Sequence, residues 1–539
     1  MNENTIETNI DNKKGVIMQL LDDFSSSYNY LLQFIHGALL TLAFHPFDIF
    51  ITIPVAFSGF LWCLERDLTS SQAMKRLFFS LGFKHAFIFY LGHFFSSLYW
   101  VSNPLFFDLH AYWFLIPFAL IILPAFLSLF YSFASALICT YYILPNVQNL
   151  CTSNKIKIAL LFSIGFFISE ILRANFLIQF PWNLLGYASG YSLSLMQLAS
   201  ITGVYGLSML LYLVGTVPYT KNLFSISFIT ILVIVITMYG NKRLNSIEVS
   251  NDKKLSVTLY VVQPNLEHHY NKYDKQIEAL EKTKKIVTDH IATKSSKISN
   301  ELNINMIILP ESAIPFVLNK YQSILFDDLM STYTTNSFLL SGIDRYDSAT
   351  ASYYNSIILI NNHGEILDSY DKIILTPFGE YIPGYDILKP ILKPIVGNHF
   401  GFSPGIKTRN IILHFDGVHK ITDHVIIMPM ICFESIFTPL SFTRDDDKVD
   451  LIVNVTNDSW LGRTIGPYQH LAMSRMRAIE YGLPFVRAAK TGISAVFNSY
   501  GQLIRKIDLN MEGVIIVEMP QMKVQTPYME FVKLFRSDE

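Results

Sequence analysis

The N-terminal half of the chain carries too little charge to fold as a water-soluble domain. Between Tyr30 and Pro145 only eight Asp, Glu, Lys or Arg residues occur. In the whole chain 16% of the residues are charged, whereas soluble proteins average about 25%. From about residue 250 onward the charge density is that of a soluble domain. The sequence therefore predicts a membrane half that ends near Arg243 and a soluble half after it.

Seven apolar runs in the membrane half are candidates for membrane-spanning helices, each of which needs about 20 mainly apolar residues. They lie at residues 28–44, 48–64, 77–100, 112–144, 156–174, 192–217 and 222–240. We therefore expect an α-helical transmembrane bundle at 29–243, preceded by a polar tail at 1–28. A catalytic domain is expected at 250–520, followed by a C-terminal tail at 521–539 in which no further span is evident.

Lysine and arginine in the short loops predict the orientation of this bundle, because cytoplasmic loops are enriched in both. They occur in the N-terminal tail and in the loops after the second, fourth and sixth runs, whereas the loops at 45–48 and 101–111 contain none. The N-terminus is therefore expected in the cytoplasm, and seven spans place the soluble half in the periplasm of a Gram-negative cell. We expect a multi-pass protein of the bacterial inner membrane.

The soluble half alternates strand-like apolar runs with amphipathic helical ones, which is typical of a layered α/β domain. Helices are predicted around 277–291 and 468–482. Strands are predicted at 255–263, 306–311, 338–343, 354–360, 425–433, 451–458, 485–498 and 513–519. Several strands are apolar throughout, as in sheets that are covered on both faces. A net charge of −2 and the lack of a long basic block give no indication of nucleic-acid binding.

Three polar residues stand where apolar strands end, namely Glu311, Lys372 and Cys432. Ligand sites collect at strand ends in α/β folds. A thiol becomes a nucleophile when a base removes its proton, so Glu311 can act as the base. Lys372 can favour the thiolate and then stabilise an oxyanion, with the backbone N–H of Phe433 as a second donor. The alternative is that Cys432 is an inert buried residue, which is the usual fate of a lone cysteine.

Further residues extend the predicted site. Glu380 and Glu434 are carboxylates near the same strand ends, and one of them is expected to hold Lys372 charged and correctly aimed. In the membrane half Trp182 follows a proline and can belong to a re-entrant segment that lines a cavity. Glu170 and Arg173 lie one helical turn apart and are best interpreted as a structural pair.

The sequence around these residues resembles that of a known family. The segments PESA, YDKIILTPFGEYIP and CFES resemble the Glu-Lys-Cys triad motifs of the nitrilase superfamily. Other segments, in both halves of the chain, are similar to apolipoprotein N-acyltransferases: TLAFHPFDIF (41–50), SEILRANFLIQFPWNLLGYA (169–188), QPN (263–265), NDSWLG (457–462) and RMRAIEYGLPFVRAAKTGISAV (475–496). The resemblance extends over 30–520.

The resemblance implies a nitrilase-like α-β-β-α sandwich domain joined to a transmembrane bundle. Such an enzyme moves an acyl chain from a glycerophospholipid, usually phosphatidylethanolamine, onto its cysteine as a thioester. It then passes the chain to the N-terminal α-amine of the diacylglyceryl-cysteine of an apolipoprotein, which completes lipoprotein maturation. The resemblance implies that neither a metal nor a nucleotide cofactor is needed.

The resemblance also assigns roles by position. The triad residues carry over in order as base, oxyanion cation and nucleophile. Glu380 matches an additional active-site glutamate, Glu434 matches the carboxylate that follows the cysteine, and Asn355 matches an asparagine that shapes the site.

Three aromatic residues are expected to contact substrate, namely Trp182, Tyr273 and Trp460, the last on a mobile loop near the entry of the lipid. The chain departs from the family pattern in three places. Tyr273 stands where the family usually has tryptophan, Lys490 replaces a common asparagine, and the usual last membrane span is not evident.

Two other functions are compatible with parts of the pattern. One is a membrane-anchored amidase of the nitrilase type, in which water accepts the acyl group, but the motifs of the membrane half argue against it. The other is a membrane scaffold with a non-catalytic nitrilase fold, and the presence of all three triad residues argues against that.

Overall fold

The computed structural model describes residues 28–70, 75–107, 109–176, 179–246, 257–266, 273–295, 304–318, 330, 336–382, 401–406, 408–415, 423–440, 448–520 and 523–534. The chain forms two compact units. The helical unit comprises the chain up to Gln179 together with Asn183–Tyr191 and Leu207–Val235. The sheet unit comprises Phe180–Trp182, Ser192–Gly206 and the chain from Ile236 onward.

The apolar runs fold as helices, which satisfy their own backbone hydrogen bonds and can therefore exist in lipid. These helices are α1 (28–40), α2 (Thr52–Ser70), α3 (Lys75–Ser97), α4 (Trp113–Asn146), α5 (Thr152–Asn175), α6 (Ala199–Thr216) and α7 (Leu223–Asn245). Within the described residues, three helical segments are long and apolar enough to cross a membrane: Trp113–Asn146, Ala199–Thr220 and Leu223–Asn245. The helices lie at the seven predicted runs, and the number of spans stays a prediction.

Aromatic rings fill the core of the helical unit. The rings of Phe57 and Tyr212 meet edge to face at 5.4 Å. Glu170 and Arg173 are buried in this core. Glu170 accepts a hydrogen bond from the backbone N–H of Leu185, and Arg173 Nε lies 3.2 Å from the Tyr131 hydroxyl.

Twelve strands, counted over the described residues, form two sheets in the sheet unit. Their bounds are β1 (Val257–Gln263), β2 (Ile304–Leu318), β3 (Ser337–Asp347), β4 (Ser352–Ile360), β5 (Ile366–Asp371), β6 (Ile411–Phe415), β7 (Asp423–Ile431), β8 (Leu451–Thr456), β9 (Phe485–Ala489), β10 (Ser494–Phe497), β11 (Leu503–Ile507) and β12 (Gly513–Glu518). One sheet has the order β12-β1-β2-β3-β4-β5 and the other β11-β10-β9-β8-β7-β6. In each sheet the central pairs are parallel, as with β1 and β2 or β7 and β8.

The two sheets pack face to face around one apolar core. Residues of both contribute to it, among them Val261 and Ile308 from the first sheet and Ile427 and Val455 from the second. Helices cover the outer faces: α8 (Tyr273–Ser295) packs on the first sheet, and α9 (Gly466–Tyr481) and α10 (Pro527–Leu534) pack on the second. This is the α-β-β-α sandwich that the family resemblance implies, and the layered α/β domain predicted from the strand pattern is confirmed.

The single strand predicted at 485–498 is wrong, because a turn divides it into β9 and β10. Lys490 still follows the line of β9, since its backbone N–H donates to Thr456 O at 3.0 Å. The chain then turns at Gly492, where an added Cβ would lie 2.3 Å from an oxygen of Asp458. Apolar composition alone does not reveal this break, because all the residues of the turn are buried.

Candidate active site

A bulge in β2 takes Glu311 out of the regular ladder. Leu309 pairs with Ser341 and Ile314 with Ile343 on β3, so four residues of β2 oppose one residue, Gly342. Pro310 interrupts the ladder because it has no N–H to donate. Gly342 allows the close approach, since a Cβ there would lie 2.5 Å from the Cα of Glu311. The carboxylate is thereby free to leave the strand and meet residues of other strand ends.

Cys432 follows the last residue of β7 and opens a short helical turn, Cys432–Ile436. Its φ of 47° lies in the left-handed region. Such a conformation costs a residue other than glycine roughly 1–3 kcal/mol and is concentrated at functional sites. The surrounding contacts must therefore hold this turn in place.

Glu311 is buried and held at both carboxylate oxygens. Asn355 Nδ2 donates to Oε1 at 2.7 Å, and the backbone N–H of Asn457 donates to Oε2 at 2.7 Å. Cys432 makes a side-chain hydrogen bond to the same carboxylate. The thiol is therefore placed directly against a carboxylate that can accept its proton.

Lys372 lies between two carboxylates and is only 1% exposed. Its Nζ is 2.7 Å from Glu380 Oε2 and 3.8 Å from Glu311 Oε1. Asn355 Nδ2 also donates to Glu380 Oε1 at 2.9 Å, so one amide bridges the two glutamates. We call Cys432, Glu311, Lys372, Glu380 and Asn355 the reactive cluster.

The two carboxylates of the reactive cluster differ in how readily they ionise. Burial opposes the charge on Glu380, but the close ammonium of Lys372 outweighs it and lowers the pKa of Glu380. Burial raises the pKa of Glu311, because the more distant ammonium compensates only in part and Glu380 adds repulsion. Glu311 is thus the carboxylate of the cluster with the higher proton affinity.

The environment holds the lysine charged and the cysteine neutral. Burial opposes the ammonium of Lys372, but Glu380 and Glu311 together raise its pKa. Burial and the nearby Glu311 raise the pKa of the Cys432 thiol, with Lys372 opposing them. The resting thiol is therefore protonated and needs a base at the moment it attacks.

Glu434 is held by hydrogen bonds to the fold around the cysteine. It accepts hydrogen bonds from the Tyr370 hydroxyl at 2.7 Å and from the backbone N–H groups of Ile373 and Ile431, both at 2.8 Å. It thereby ties the segment after Lys372 to the strand that ends at the cysteine. Of the two glutamates proposed from the sequence, Glu380 is the one that contacts the lysine.

Phe433 is buried beside the cysteine, where its ring lies 6.4 Å from that of Phe180. The donation of its backbone N–H to an oxyanion stays a prediction.

A second buried group of charges supports the carbonyl of Cys432. Arg487 Nη2 donates to Asp458 Oδ2 at 2.7 Å, and His470 Nδ1 lies 3.0 Å from Asp458 Oδ1. His470 Nε2 lies 3.2 Å from Cys432 O. We call Asp458, His470 and Arg487 the anchoring cluster. Burial opposes the charge on Asp458, but Arg487 and His470 lower its pKa.

Sequence reasoning missed the anchoring cluster, although one signal for it exists. Arg487 stands in the middle of an apolar strand, FVRAA, and a buried arginine requires a buried acid. The identity of that acid depends on a contact with the segment after β8, which spacing along the chain does not reveal.

The three predicted substrate-contact residues fall in different places. Trp182 is buried, where its Nε1 donates to Gln469 Oε1 at 2.8 Å and its ring lies 5.5 Å from that of His470. Trp460 is 45% exposed on the turn Asp458–Leu461. Tyr273 begins α8, and its side chain lies outside the described part of the structure.

The reactive cluster has the parts needed for acyl transfer through a thioester. A protonated thiol touches a carboxylate that can take its proton, and a buried ammonium stands ready for the negative charge that develops on the carbonyl oxygen. The thiol and the cation directly follow β7 and β5, whereas the base lies in the bulge within β2, which continues to Leu318 beyond the strand end predicted at 311.

Comparison with known proteins finds relatives that cover both halves of the chain. Residues 261–527 match a family model described as carbon-nitrogen hydrolase, and residues 36–217 match one described as apolipoprotein N-acyltransferase N-terminal domain. An apolipoprotein N-acyltransferase from Brucella melitensis is 31% identical over 504 residues, covering 91% of this chain and 89% of the relative. Another from Rhodopseudomonas palustris is 30% identical over 544 residues, covering 96% and 94%. A solved structure of a nitrilase-superfamily member from Saccharomyces cerevisiae aligns with a TM-score of 0.36 at 16% identity, covering 52% of this chain and 94% of that one.

Proposed function

The chain belongs to the apolipoprotein N-acyltransferase family, and we propose that Cys432 carries the acyl group during transfer. The protein is a membrane acyltransferase that acts in lipoprotein maturation. We further propose that its acyl donor is a glycerophospholipid, preferably phosphatidylethanolamine, and that its acceptor is the N-terminal α-amine of a diacylglyceryl apolipoprotein. The observation that carries the proposal is the contact of the half-buried, protonated Cys432 thiol with Glu311 beside Lys372.

The first half-reaction forms the thioester. Glu311 accepts the proton of Cys432 as Sγ attacks the ester carbonyl carbon of the phospholipid. Lys372 stabilises the oxyanion of the tetrahedral intermediate, a contribution of about 3–4 kcal/mol for one such donor. The intermediate collapses, the ester C–O bond breaks, and Glu311 returns the proton to the departing oxygen of the lysophospholipid.

The second half-reaction regenerates the thiol. The α-amine of the apolipoprotein attacks the thioester carbon, with Lys372 again beside the oxyanion. Glu311 takes a proton from the amine, the C–S bond breaks, and the proton passes to Sγ. The amide product leaves, and the enzyme returns to its starting state. Burial of the cluster limits the access of water, which would otherwise hydrolyse the thioester.

We place the sheet unit in the periplasm, facing the inner membrane. The distribution of Lys and Arg in the short loops supports this orientation. Cys151 offers a test, because it is exposed in the loop between α4 and α5, which is predicted to be cytoplasmic. A membrane-impermeant maleimide should label Cys151 only after the inner membrane is permeabilised. Labelling in intact spheroplasts would reverse the assigned orientation.

Intact-mass spectrometry tests the nucleophile and the reaction class together. Full-length protein mixed with phosphatidylethanolamine vesicles should gain the mass of one fatty acyl group, and Cys432→Ala should gain none. Cys151→Ala is the matched control, since it removes an exposed cysteine outside the sheet unit, and it should gain the acyl group like the wild type.

A diacylglyceryl peptide should then discharge the adduct and become heavier by the same acyl group. Full peptide acylation by Cys432→Ala, or no adduct on the wild type, would contradict the proposed mechanism. Hydrolysis of small amides without any lipid-dependent acylation would favour an amidase. Phosphatidylglycerol vesicles in place of phosphatidylethanolamine test the preference for the donor.

A further inference from the structure

Lys490 is a second buried lysine near Glu311, and the reaction scheme above leaves it unused. It lies in the turn between β9 and β10 and is 1% exposed. Its Nζ donates to Ser312 O at 3.0 Å, and its backbone N–H donates to Thr456 O at 3.0 Å. Ser312 directly follows Glu311, and Thr456 directly precedes the residue whose N–H binds Glu311 Oε2. One lysine therefore fastens the two segments that hold the base.

The segment that Lys490 holds is itself strained. Ser312 has a φ of 46°, in the left-handed region, and its hydroxyl donates to Asp344 Oδ1 at 3.0 Å. A serine in this conformation needs surrounding contacts to keep it there. The bond from Lys490 to its carbonyl is one such contact, and it sets the direction in which the chain leaves Glu311.

Lys490 also brings a charge to the base. The carboxylates that act on it are Asp344 on β3 and Glu311 on β2. Beyond Glu311 stand Lys372 and Glu380, and the anchoring cluster lies beside the same turn. Burial lowers the pKa of Lys490 to about 7, against the pull of the two carboxylates. The ammonium is therefore present below neutral pH, where it can act on the carboxylate of Glu311.

We propose that Lys490 is a positioning residue for the base, whose ammonium fixes the turn after Glu311 and favours the carboxylate form of Glu311. With this second cation, Glu311 can accept the Cys432 proton at a lower pH than Lys372 alone would allow. The inference rests on the proposed function, in which Glu311 is the base.

The pH dependence of thioester formation tests this role. In Lys490→Met the acid limb of the pH–rate profile should move to higher pH by about one unit, as expected when a nearby opposite charge is lost. Lys490→Gln retains a side-chain N–H but no charge, so its acid limb should move in the same way. Lys490→Arg retains the charge and should keep the wild-type limb.

Lys282→Met is the matched control. Lys282 Nζ also approaches a backbone carbonyl, Asn265 O at 3.4 Å, and it pairs with Glu512. Its removal should leave the acid limb unchanged.

The outcomes separate positioning of the base from a merely structural role. An equal loss of rate at every pH in Lys490→Met and Lys490→Gln would overturn the proposal. An acid limb at the wild-type pH in both folded variants would overturn it as well. If Lys490→Met fails to fold, Lys490→Gln decides.

A measurement without lipid keeps this inference separate from the proposed function. Alkylation of Cys432 by iodoacetamide, followed on its own peptide, should show the same shift of the acid limb in the variants. Absence of a thioester in the wild type at every pH would defeat the proposed function, and the alkylation profile would still decide the role of Lys490.

Discussion

The reactive cluster and the anchoring cluster both bury charge beside Cys432, but they hold it differently. In the anchoring cluster Arg487 binds Asp458 at 2.7 Å, so the acid is neutralised at close range. In the reactive cluster Lys372 binds Glu380 at that same close range and stands 3.8 Å from Glu311. Glu311 is thus buried with only part of its charge compensated, which keeps it available for a proton.

This difference separates chemistry from support. A fully paired acid such as Asp458 cannot serve as a base, because its charge is too well stabilised. A partly compensated acid lowers the stability of the fold but has a proton affinity suited to catalysis. A substitution of the base in the reactive cluster should therefore mainly lower the rate. A substitution in the anchoring cluster should mainly lower the stability of the fold.

Glu311→Gln should give the largest effect on rate. Loss of a general base typically slows a reaction by about 10²–10⁴-fold, so thioester formation should fall within that range. The melting temperature should stay the same or rise, because a carboxyl group whose folded-state pKa is raised contributes no stability once it is ionised. Single-turnover mass spectrometry and thermal unfolding measure the two quantities.

Glu434→Gln is the matched control, since it changes a buried glutamate that binds backbone N–H groups near Cys432. It should lower the melting temperature more than Glu311→Gln does. A normal rate in Glu311→Gln, or a larger loss of stability than in the control, would contradict the distinction between the clusters.

Arg487→Met should give the opposite result. It leaves Asp458 buried without its closest cation, and breaking such a pair typically costs about 3–5 kcal/mol. Unfolding monitored by tryptophan fluorescence should show this loss. The double change Arg487→Met with Asp458→Asn should recover part of the stability, because no buried charge is then left alone. If the double variant were less stable than Arg487→Met, the pair would not be what holds this region.

Lowering the pH should stop catalysis before it unfolds the sheet unit. Burial raises the pKa of Glu311, so the base becomes protonated at a pH above the usual value of about 4.3. The pKa of Asp458 is lowered, so its stabilising contribution is complete above about 3.9 and is lost only as the pH falls through the depressed value.

Initial rates and unfolding measured across the same pH series test this order. The rate should fall at a higher pH than the fold does, and it should recover fully when a briefly exposed sample is returned to neutral pH. Simultaneous, irreversible loss of rate and fold would show that the two clusters titrate as one.

The apolar runs before the triad residues point to the reactive cluster, and the family motifs around those residues identify it. Lys372 and Cys432 do stand directly after strands, whereas Glu311 lies at a bulge within β2, and the three residues come from two facing sheets. The apolar strands predict a layered α/β domain covered on both faces, and only the family resemblance implies the α-β-β-α sandwich.

The supporting contacts could not be found in this way. Glu434 accepts a hydrogen bond from a backbone N–H on the segment after Lys372, and the pairing of Arg487 with Asp458 joins the middle of β9 to the segment after β8. The sequence marks Lys490 only as a departure from a family pattern, and its bond to Ser312 depends on how the two sheets meet. These contacts are set by packing between distant segments, which no local pattern contains.

Trp182→Phe should give the smallest effect and shows how far the anchoring cluster extends. The change removes the hydrogen bond from Nε1 to Gln469 but keeps an aromatic ring beside His470. Loss of one such bond costs about 0.5–1.5 kcal/mol, with a further penalty if the buried Gln469 oxygen is left without a donor.

Trp460→Phe is the control, because Trp460 is 45% exposed and its change should leave the melting temperature unchanged. If Trp182→Phe lowers stability but slows thioester formation less than tenfold, Trp182 belongs with the support of Cys432. If it instead slows the reaction as strongly as Glu311→Gln with no loss of stability, Trp182 contacts substrate and belongs to the reacting site, not to the support of Cys432.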